Sequence, residues 1–437
     1  MTTPPTSTDA AHSREAARAR DAADPMSRFR DAFIIPPRPG AAPGDEPIAY
    51  FTGNSLGLQP KRARPMIEEE LDDWGRLAVE GHFHGRRPWY TYHEPFRDPL
   101  ARIVGARPHE VVAMNSLTVN LHLMMMSFFQ PEGRRRKIMI ESPAFPSDTY
   151  AVKTHLRARG FDPERDLITI APPEGEQLIR NDDIVAAIER HADDLALVML
   201  GGVNFFTGQV LEMPRITEAA HRAGAMCGWD LAHGAGNVPL QLHDWDADFA
   251  CWCSYKYLNG GPGAVSACFV HERHARNIDL PRFAGWWGND PESRFLMHLQ
   301  PEFVAKPDAD GWQLSNPPVL GLTALLASLE QFDAAGMPAL RERSLQLTAY
   351  LRDQLTSASS RSATPWFEVI TPDDPDRHGA QLSIRVTDRP RERFDALQAA
   401  GVMADFREPD VIRAAPAPLY NSYEDCWRFA DAMASVG

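Results

Sequence analysis

The chain has 437 residues, of which 43% are hydrophobic and 24% are charged, and this composition excludes a wholly disordered, collagen-like or disulfide-scaffold protein. The length predicts one large or two medium domains, and no run of about 18 apolar residues occurs, so we expect no membrane span and no membrane partner. The 45 Lys and Arg against 59 Asp and Glu give a net charge of −14, which predicts no nucleic-acid partner.

The first 30 residues are rich in Thr, Pro, Ser and Ala and show no hydrophobic period, so we predict a disordered N-terminal tail over residues 1–30. The five cysteines are an odd and sparse set, which indicates reduced thiols in the cytoplasm. Neither Cys251-x-Cys253 nor His271-Glu-Arg-His274 has the spacing of a known metal motif, so we predict no metal site.

Five short apolar runs lie between residues 95 and 275, separated by stretches with a helical period. Such runs are typical of strands buried on both faces, as in a parallel sheet covered by helices. This part of the chain is therefore predicted to have an α/β fold. The runs are Ile138–Ile140, Leu195–Leu200, Ala225–Trp229, Phe249–Cys253 and Ala264–Val270.

The C-terminal part of the chain has a different pattern. Apolar residues recur at helical spacing from Leu322 to Phe332 and again from Leu347 to Leu355, which predicts two successive amphipathic helices. Strand-like stretches follow at 367–370, 381–386 and 411–414. We therefore expect a large domain over residues 31–315 and a smaller α+β domain over residues 316–437.

Lys256 is the first candidate catalytic residue. Arg supplies nearly all of the basic side chains, and Lys256 is one of only five lysines. It lies in the segment Ser254–Gly263, after an apolar strand and before a Gly-rich turn. A desolvated amine there would be nucleophilic, as a Schiff-base lysine requires, although a lysine at a strand end can also extend its amine to solvent.

Asp230 is the second candidate, at the carboxyl end of another apolar run and 26 residues before Lys256. Ligands of α/β sheets gather at the carboxyl ends of strands, so we expect both side chains in one crevice. An Asp in that place can keep a pyridinium nitrogen protonated, although capping of the following turn is an alternative role.

The segment Asn115–Asn120 precedes an apolar stretch with helical character, Leu121–Phe129. Ser116 or Thr118 at the start of a helix suits a phosphate group, and an ordinary N-cap remains the alternative. Neither glycine motif of nucleotide-binding enzymes occurs. Phe145 follows the Ile138 run and would either stack on a planar ring or pack in a core.

In this order, these features resemble a fold-type I pyridoxal-phosphate enzyme and, more narrowly, the kynureninase family of the aminotransferase class V superfamily. The resemblance extends from about residue 30 to the C-terminus, and its later motifs would not be expected in a generic aminotransferase. The matching motifs are Tyr50–Gly57, Arg87–Trp89, Asn115–His122, Phe145–Asp148, Asp230–His233, Leu242–Trp245, Ser254–Asn259, Ser315–Pro318 and Val411–Ser422.

The resemblance implies an α/β large domain with a mainly parallel seven-stranded sheet, a smaller C-terminal α+β domain and pyridoxal 5′-phosphate as cofactor. Lys256 would carry the cofactor, Asp230 would pair with its ring nitrogen, and Tyr255 would be a proton donor. Phe145 would stack on the ring. The other cofactor positions that the resemblance implies within one chain are Leu117, Thr118, Ser147, Asp148 and His233.

The resemblance also implies a homodimer with composite active sites, because Trp286 and Asn316 match cofactor-site residues that the neighbouring subunit supplies. Arg413 matches the arginine that holds the substrate carboxylate, a bidentate task for which a guanidinium is suited. The other positions implied for substrate binding are Asn54, His82, Ser315 and Asn316.

The activity implied is hydrolysis of L-kynurenine, or of 3-hydroxy-L-kynurenine, to the corresponding anthranilate and L-alanine, in the kynurenine pathway of tryptophan catabolism and NAD biosynthesis. We predict L-kynurenine as the working substrate. One alternative is another fold-type I enzyme, such as a cysteine desulfurase or an aminotransferase. The other is an inactive binding or regulatory member, which would be expected to lack Lys256, Asp230 or Arg413.

Gly201 departs from the family pattern, because relatives often have Ser or Thr there. One hydrogen bond near the cofactor would then be missing, worth about 0.5–1.5 kcal/mol. We therefore expect Gly201 to weaken cofactor binding without removing the chemistry.

Overall fold

The computed structural model describes residues 11–38, 40–42, 44–300, 302–362 and 364–436. None of the helices in these ranges combines the length and apolar content that crossing a membrane requires. The α-helices are α1 (Arg14–Ala23), α2 (Ala63–Leu77), α3 (Gly81–His84), α4 (Arg97–Val104), α5 (Leu117–Phe128), α6 (Pro146–Ala158), α7 (Pro163–Asp166), α8 (Asn181–Arg190), α9 (Met213–Arg222), α10 (Glu272–Ala275), α11 (Val319–Ala335), α12 (Met337–Ser360), α13 (Pro390–Ala399) and α14 (Tyr423–Ala434).

The strands include every one predicted from the apolar runs, together with several that those runs did not indicate. They are β1 (Ala49–Tyr50), β2 (Val111–Ala113), β3 (Lys137–Glu141), β4 (Leu167–Ile170), β5 (Leu195–Gly201), β6 (Met226–Asp230), β7 (Phe249–Trp252), β8 (Ala267–Val270), β9 (Phe367–Val369), β10 (Leu382–Val386), β11 (Val402–Met403), β12 (Asp405–Arg407) and β13 (Val411–Ala414).

The chain forms two compact units, and their limits differ from the predicted boundary at residue 316. The larger unit comprises Arg62–Phe205 and Val210–Phe332, and the smaller comprises the described residues of 1–61, Phe206–Gln209 and 333–437. Residues 31–61 lie in the smaller unit because β1 pairs in parallel with β11. Residues 316–332 lie in the larger unit, where Ala327 packs against Ala63 and Met66.

The larger unit contains a seven-stranded sheet in the order β2-β8-β7-β6-β5-β3-β4. The neighbours from β7 to β4 pair in parallel, whereas β8 is antiparallel to both β7 and β2. A mainly parallel sheet must be covered on both faces, which explains why its central strands are continuous apolar runs. The predicted α/β fold with a mainly parallel seven-stranded sheet is confirmed.

Helix α5 covers part of this sheet, because its side chains are apolar on nearly every side and most of them are buried. Phe128 stacks on Phe249 of β7 with ring centroids 4.8 Å apart. Trp312 is also buried here, and its indole N–H donates a hydrogen bond to Ser127 Oγ at 2.9 Å. This packing holds the first turn of α5 beside the carboxyl ends of the strands.

The smaller unit is built on an antiparallel sheet in the order β12-β13-β10-β9. Helices α12 and α14 supply the apolar core that covers it, including Leu347, Leu351 and Phe429, all of them fully buried. The two helices predicted from the leucine spacing correspond to α11 and α12, and the predicted α+β character of this unit is confirmed.

The N-terminal segment differs from the disordered tail predicted over residues 1–30; of these, 1–10 lie outside the described residues. Ser13 caps α1 by accepting a hydrogen bond from the Ala16 N–H at 3.2 Å. The Asp21 carboxylate accepts hydrogen bonds from the backbone N–H groups of Tyr423 and Glu424, at 2.8 and 3.0 Å. Because only Ala17 of α1 is buried, the helix depends on polar contacts with α14, and the sequence shows no hydrophobic period.

Candidate active site

A cavity of about 200 Å³ lies at the carboxyl ends of β3, β5 and β6 in the larger unit. These strands run in parallel, so the residues that end them or follow them meet at one edge of the sheet. Nine of the predicted catalytic and cofactor positions line this cavity together. They are Leu117, Thr118, Phe145, Ser147, Asp148, Asp230, His233, Tyr255 and Lys256.

Lys256 extends its amine into the cavity. Its Nζ donates a hydrogen bond to Nε2 of His233, with 3.0 Å between the two nitrogens. The same Nζ lies 5.8 Å from the ring centroid of Phe145. The Phe145 side chain is 44% exposed, so it is not a core residue, and its ring can contact a ligand bound beside Lys256.

Asp230 both caps a turn and lies beside a second acid. Its Oδ1 accepts one from the Ala232 N–H at 2.6 Å, so the residue does cap the turn that follows β6. Its carboxyl also lies near that of Asp148, because both residues line the cavity and the charge of Asp230 acts on Asp148. Burial, followed by the charge of Asp230, raises the pKa of Asp148 well above its usual range.

Glu141 is a third buried acid in the cavity, and no role was predicted for it from its sequence context. Its Oε2 accepts a hydrogen bond from the Gly201 N–H at 3.0 Å. Burial raises the pKa of Glu141 to about 7, although the hydrogen bond from Gly201 acts in the opposite direction. The charge of Asp230 also raises this pKa. The signal for Glu141 was the same as for Asp230, an acid that ends an apolar strand.

Two helices begin at the cavity lining. Ser116 precedes α5 and Phe145 precedes α6, and neither side chain makes a cap hydrogen bond. The hydroxyls of Thr118 and Ser147, one in the first turn of each helix, are 3.1 Å apart. Backbone N–H groups at two helix N-termini, with two hydroxyls between them, form a site suited to a phosphate group.

Tyr255 precedes Lys256 and also lines the cavity. Burial raises the pKa of its hydroxyl, and the neighbouring Cys253 thiol adds to the rise. The phenol therefore keeps its proton at neutral pH and can donate it.

Four predicted site residues of the larger unit do not line this cavity. The Trp286 side chain is 39% exposed and contacts Trp287 edge-on, with 5.0 Å between ring centroids. Ser315 and Asn316 are exposed and line a separate cavity that also includes Asn115. His82 Nδ1 is 3.0 Å from the Val79 carbonyl oxygen.

The remaining two predicted site residues belong to the smaller unit. Arg413 lies on β13, its side chain is 2% exposed, and it forms an ion pair with Asp405. Asn54 is buried, and its Nδ2 donates a hydrogen bond to Oε1 of Gln381 at 2.9 Å. A carboxylate could replace Asp405 as the partner of Arg413.

All five cysteines are free and buried. Burial raises the pKa of the Cys253 thiol to about 11, and it also raises the pKa of Cys227, Cys251 and Cys426. Thiols in this state are poor nucleophiles, because the thiolate is the reactive form.

The sequence is similar to curated proteins along nearly its whole length. The protein named kynureninase from Koribacter versatilis is 54% identical over 409 residues, which cover 94% of each chain. The kynureninase from Myxococcus xanthus is 53% identical over 433 residues and covers 99% of each chain. A family profile described as "Kynureninase C-terminal domain" matches residues 340–433.

Solved structures with the same fold are more distant in sequence. The cysteine desulfurase CsdA from Escherichia coli is 16% identical, with a TM-score of 0.73 over 94% of this chain and 97% of that one. A variant of C-DES with glycine covalently linked to its pyridoxal-phosphate cofactor is 17% identical, with a TM-score of 0.72 over 92% and 98%. The chain therefore has the fold-type I architecture of such enzymes.

Proposed function

We propose that this chain, which belongs to the kynureninase family, hydrolyses L-kynurenine to anthranilate and L-alanine with pyridoxal 5′-phosphate as its cofactor. The main observation in support of this proposal is that nine residues at family positions line one cavity around the Lys256 amine. Relatives at 53–54% identity over nearly the whole chain support the same reaction.

The residues of the cavity fit the phosphate, the ring and the aldehyde of the proposed cofactor. The two helix N-termini with Thr118 and Ser147 suit the phosphate group. The accessible ring of Phe145 suits a planar aromatic ring. Asp230 suits a protonated ring nitrogen, and the Lys256 amine suits an aldehyde.

When bound, pyridoxal phosphate supplies an aldehyde for amines and a ring that accepts electrons. Lys256 would take the proton from Cα of the substrate, with His233 as the hydrogen-bond partner of its amine. Asp230 would hold the proton on the ring nitrogen. Tyr255 would donate a proton to Cβ after the Cβ–Cγ bond breaks, and Arg413 would hold the substrate carboxylate.

The experiment that tests this function measures anthranilate release from L-kynurenine by the purified protein. We expect Lys256→Ala to lower kcat by at least about a thousandfold, because both the attachment point and the base are lost. Lys61→Ala is the matched control, since Lys61 is exposed, and it should keep the wild-type rate. Retention of more than a tenth of the wild-type kcat in Lys256→Ala would contradict the proposal.

A cysteine desulfurase function is disfavoured although enzymes of that kind share the fold. That chemistry needs an accessible thiol that attacks the substrate sulfur. All five cysteines of this chain are buried, and burial raises the pKa of four of them. An inactive binding protein is also disfavoured, because Lys256, Asp230 and Arg413 are all present.

L-Kynurenine is proposed as the working substrate in preference to its 3-hydroxy analogue. None of the residues that line the cavity beside Lys256 has been given the role of binding a 3-hydroxyl group of the substrate. A site built to bind that hydroxyl group would strongly reject L-kynurenine, which lacks it. The ratio of kcat/KM for the two substrates tests this. A preference of more than about tenfold for the 3-hydroxy compound would overturn the choice.

We also propose that the protein is a homodimer in which Trp286 and Asn316 complete the partner's site. This is supported by the exposure of both side chains and by their absence from the cavity around Lys256. Hybrid dimers of Lys256→Ala with Asn316→Ala should recover activity that neither parent has. No recovery after subunit exchange, verified by native mass spectrometry, would contradict it.

The proposed reaction would place the protein in the kynurenine pathway, in tryptophan catabolism or NAD biosynthesis. A cytoplasmic location is supported by the five cysteines, which form no disulfide.

A further inference from the structure

Three neighbouring strands end at the cavity with residues that adjoin one another. Strand β3 ends at Glu141, β5 at Gly201 and β6 at Asp230, and β5 lies between the other two in the sheet. Gly201 is paired with Asp230 across the parallel ladder. The Glu141 carboxyl is bound to the Gly201 N–H at 3.0 Å, so it reaches the strand that adjoins Asp230.

The absence of a side chain at Gly201 makes this arrangement fit. A Cβ at position 201 would lie 2.7 Å from Oε1 of Glu141, which is closer than real Cβ contacts. The backbone of Gly201 is not among the glycines with positive φ, so its conformation alone does not require glycine. The carboxyl of Glu141 therefore occupies the space where other residues would place a side chain.

The charge at this end of the sheet depends on Glu141 as well as on the two aspartates. Glu141 is buried, and the Asp230 charge disfavours a second charge on it. A cationic ring beside Asp230 would reverse that balance and favour ionised Glu141. Glu141 borders two cavities. The other titratable residues of the cavity around Lys256 are Asp148, Asp230, His233, Tyr255 and Lys256 itself. Those of the second cavity are Tyr150, Lys153 and Glu164.

We propose that Glu141 is a positioning residue of the cofactor site, which binds the Gly201 N–H and adds its negative charge to that of Asp230 in holding a protonated ring nitrogen. This inference rests on the proposed function, because it needs a cationic ring in the cavity. Gly201 therefore makes room for a carboxyl group and does not simply lack a hydroxyl.

The first test compares the dissociation constants of pyridoxal 5′-phosphate for the apo forms of wild type and Glu141→Gln across pH. The amide keeps the shape and the acceptor for the Gly201 N–H but cannot ionise. Burial and Asp230 raise the pKa of Glu141 to about 7, so its ionisation falls within an accessible range. The ratio of the two constants cancels the protonation of the free cofactor.

We expect this ratio, variant over wild type, to rise from near one at pH 6 to about fivefold or more at pH 8. A merely structural role would give a ratio that does not change with pH, and that result would overturn the proposal. Glu174→Gln is the matched control, because Glu174 is exposed on another segment, and its ratio should stay near one at every pH.

The second test asks whether Gly201 acts through Glu141. Gly201→Ala should weaken cofactor binding about fivefold or more in wild type, but less than about twofold in a Glu141→Ala background, where the carboxyl is gone. Equal losses in both backgrounds would overturn the proposal. Thermal unfolding of each apo form identifies a variant that fails to fold, in which case the Glu141→Gln ratio alone decides.

Different results would overturn the proposed function and the role of Glu141. If wild type binds no pyridoxal 5′-phosphate at any pH, the proposed function and this inference are both overturned. If wild type binds it and Glu141→Gln binds it with a pH-independent ratio, only the role of Glu141 is overturned.

Discussion

Buried acidic residues lie at both ends of the parallel strands in the larger unit. The hydrogen-bond and ion-pair partners of these acids differ between the two ends. Asp248 immediately precedes β7 and is 1% exposed. Its carboxylate accepts hydrogen bonds from His221 at 2.9 Å, from His274 at 2.7 Å and from the Cys227 N–H at 2.6 Å. Arg273 forms an ion pair with it. Every lone pair of this carboxylate therefore has a partner.

At the carboxyl ends of the strands, Glu141, Asp148 and Asp230 share one cavity, and among the described residues none of the three forms an ion pair. The nearby Lys256 amine is bound to His233.

The pKa directions express this difference. Burial opposes the ionisation of Asp248, but the hydrogen bonds from His221 and His274 outweigh it and hold its pKa below the usual range. Burial and neighbouring acids raise the pKa of Glu141 and Asp148. Partnered acids stabilise the fold, whereas acids without a cation mark a place where a ligand supplies one.

Asp230→Asn should produce the largest difference between the two ends. We expect kcat/KM for L-kynurenine to fall by about a thousandfold or more, because an amide cannot hold the proton on the ring nitrogen. The apo protein should unfold at the wild-type temperature or above, since one of three crowded acids is removed. A variant that keeps more than a tenth of the wild-type kcat/KM would contradict the functional role of Asp230.

Asp248→Asn should have the opposite effect. It leaves His221, His274 and Arg273 without their carboxylate, so we expect the free energy of unfolding to fall by about 3–5 kcal/mol. The folded fraction should release anthranilate at a rate within about threefold of wild type. Chemical denaturation and an activity assay on the same sample measure both. A stable but inactive variant would show that Asp248 contributes to the site.

Glu141→Gln should have the smallest effect, on the pH dependence of apo stability. In the folded protein the pKa of Glu141 is raised from 4.5 to about 7, so between these values the unfolded state ionises while the folded state keeps its proton. Stability therefore falls as pH rises through this window, by at most about 3 kcal/mol, and is constant above it.

The variant should lack this fall, so the difference in unfolding free energy between Glu141→Gln and wild type should grow from pH 4.5 to pH 7. Denaturant titrations at several pH values measure it. A difference that shrinks as pH rises would mean that Glu141 is a partnered acid of the same kind as Asp248.

The sheet was largely predictable from the sequence because its central strands are buried on both faces. Strands β3, β5, β6 and β7 are continuous apolar runs, and each appears at its predicted place. Strand β4 was missed because it is only partly buried at the sheet edge, and β1 because its two residues pair with the distant β11. Helix α1 was missed because contacts with α14 hold it.

The site was predictable to the extent that its residues belong to motifs. Lys256 and Asp230 follow apolar strands in recognisable segments, and the cavity contains both. Glu141 also ends an apolar strand, but no role was predicted for it, and its contact with Gly201 depends on the open space there. From the sequence alone, Gly201 indicates only that a hydroxyl group is absent. The structure shows that it also leaves space for the Glu141 carboxyl group.

Borohydride reduction of the purified holoenzyme, followed by peptide mass spectrometry, shows directly whether Lys256 carries the cofactor. Reduction fixes the cofactor to the amine that carries it, and the chain has only five lysines. We expect a phosphopyridoxyl group on the peptide that contains Lys256, with Lys61, Lys137, Lys153 and Lys306 unmodified. A group on any other lysine, or no modified peptide at all, would contradict it.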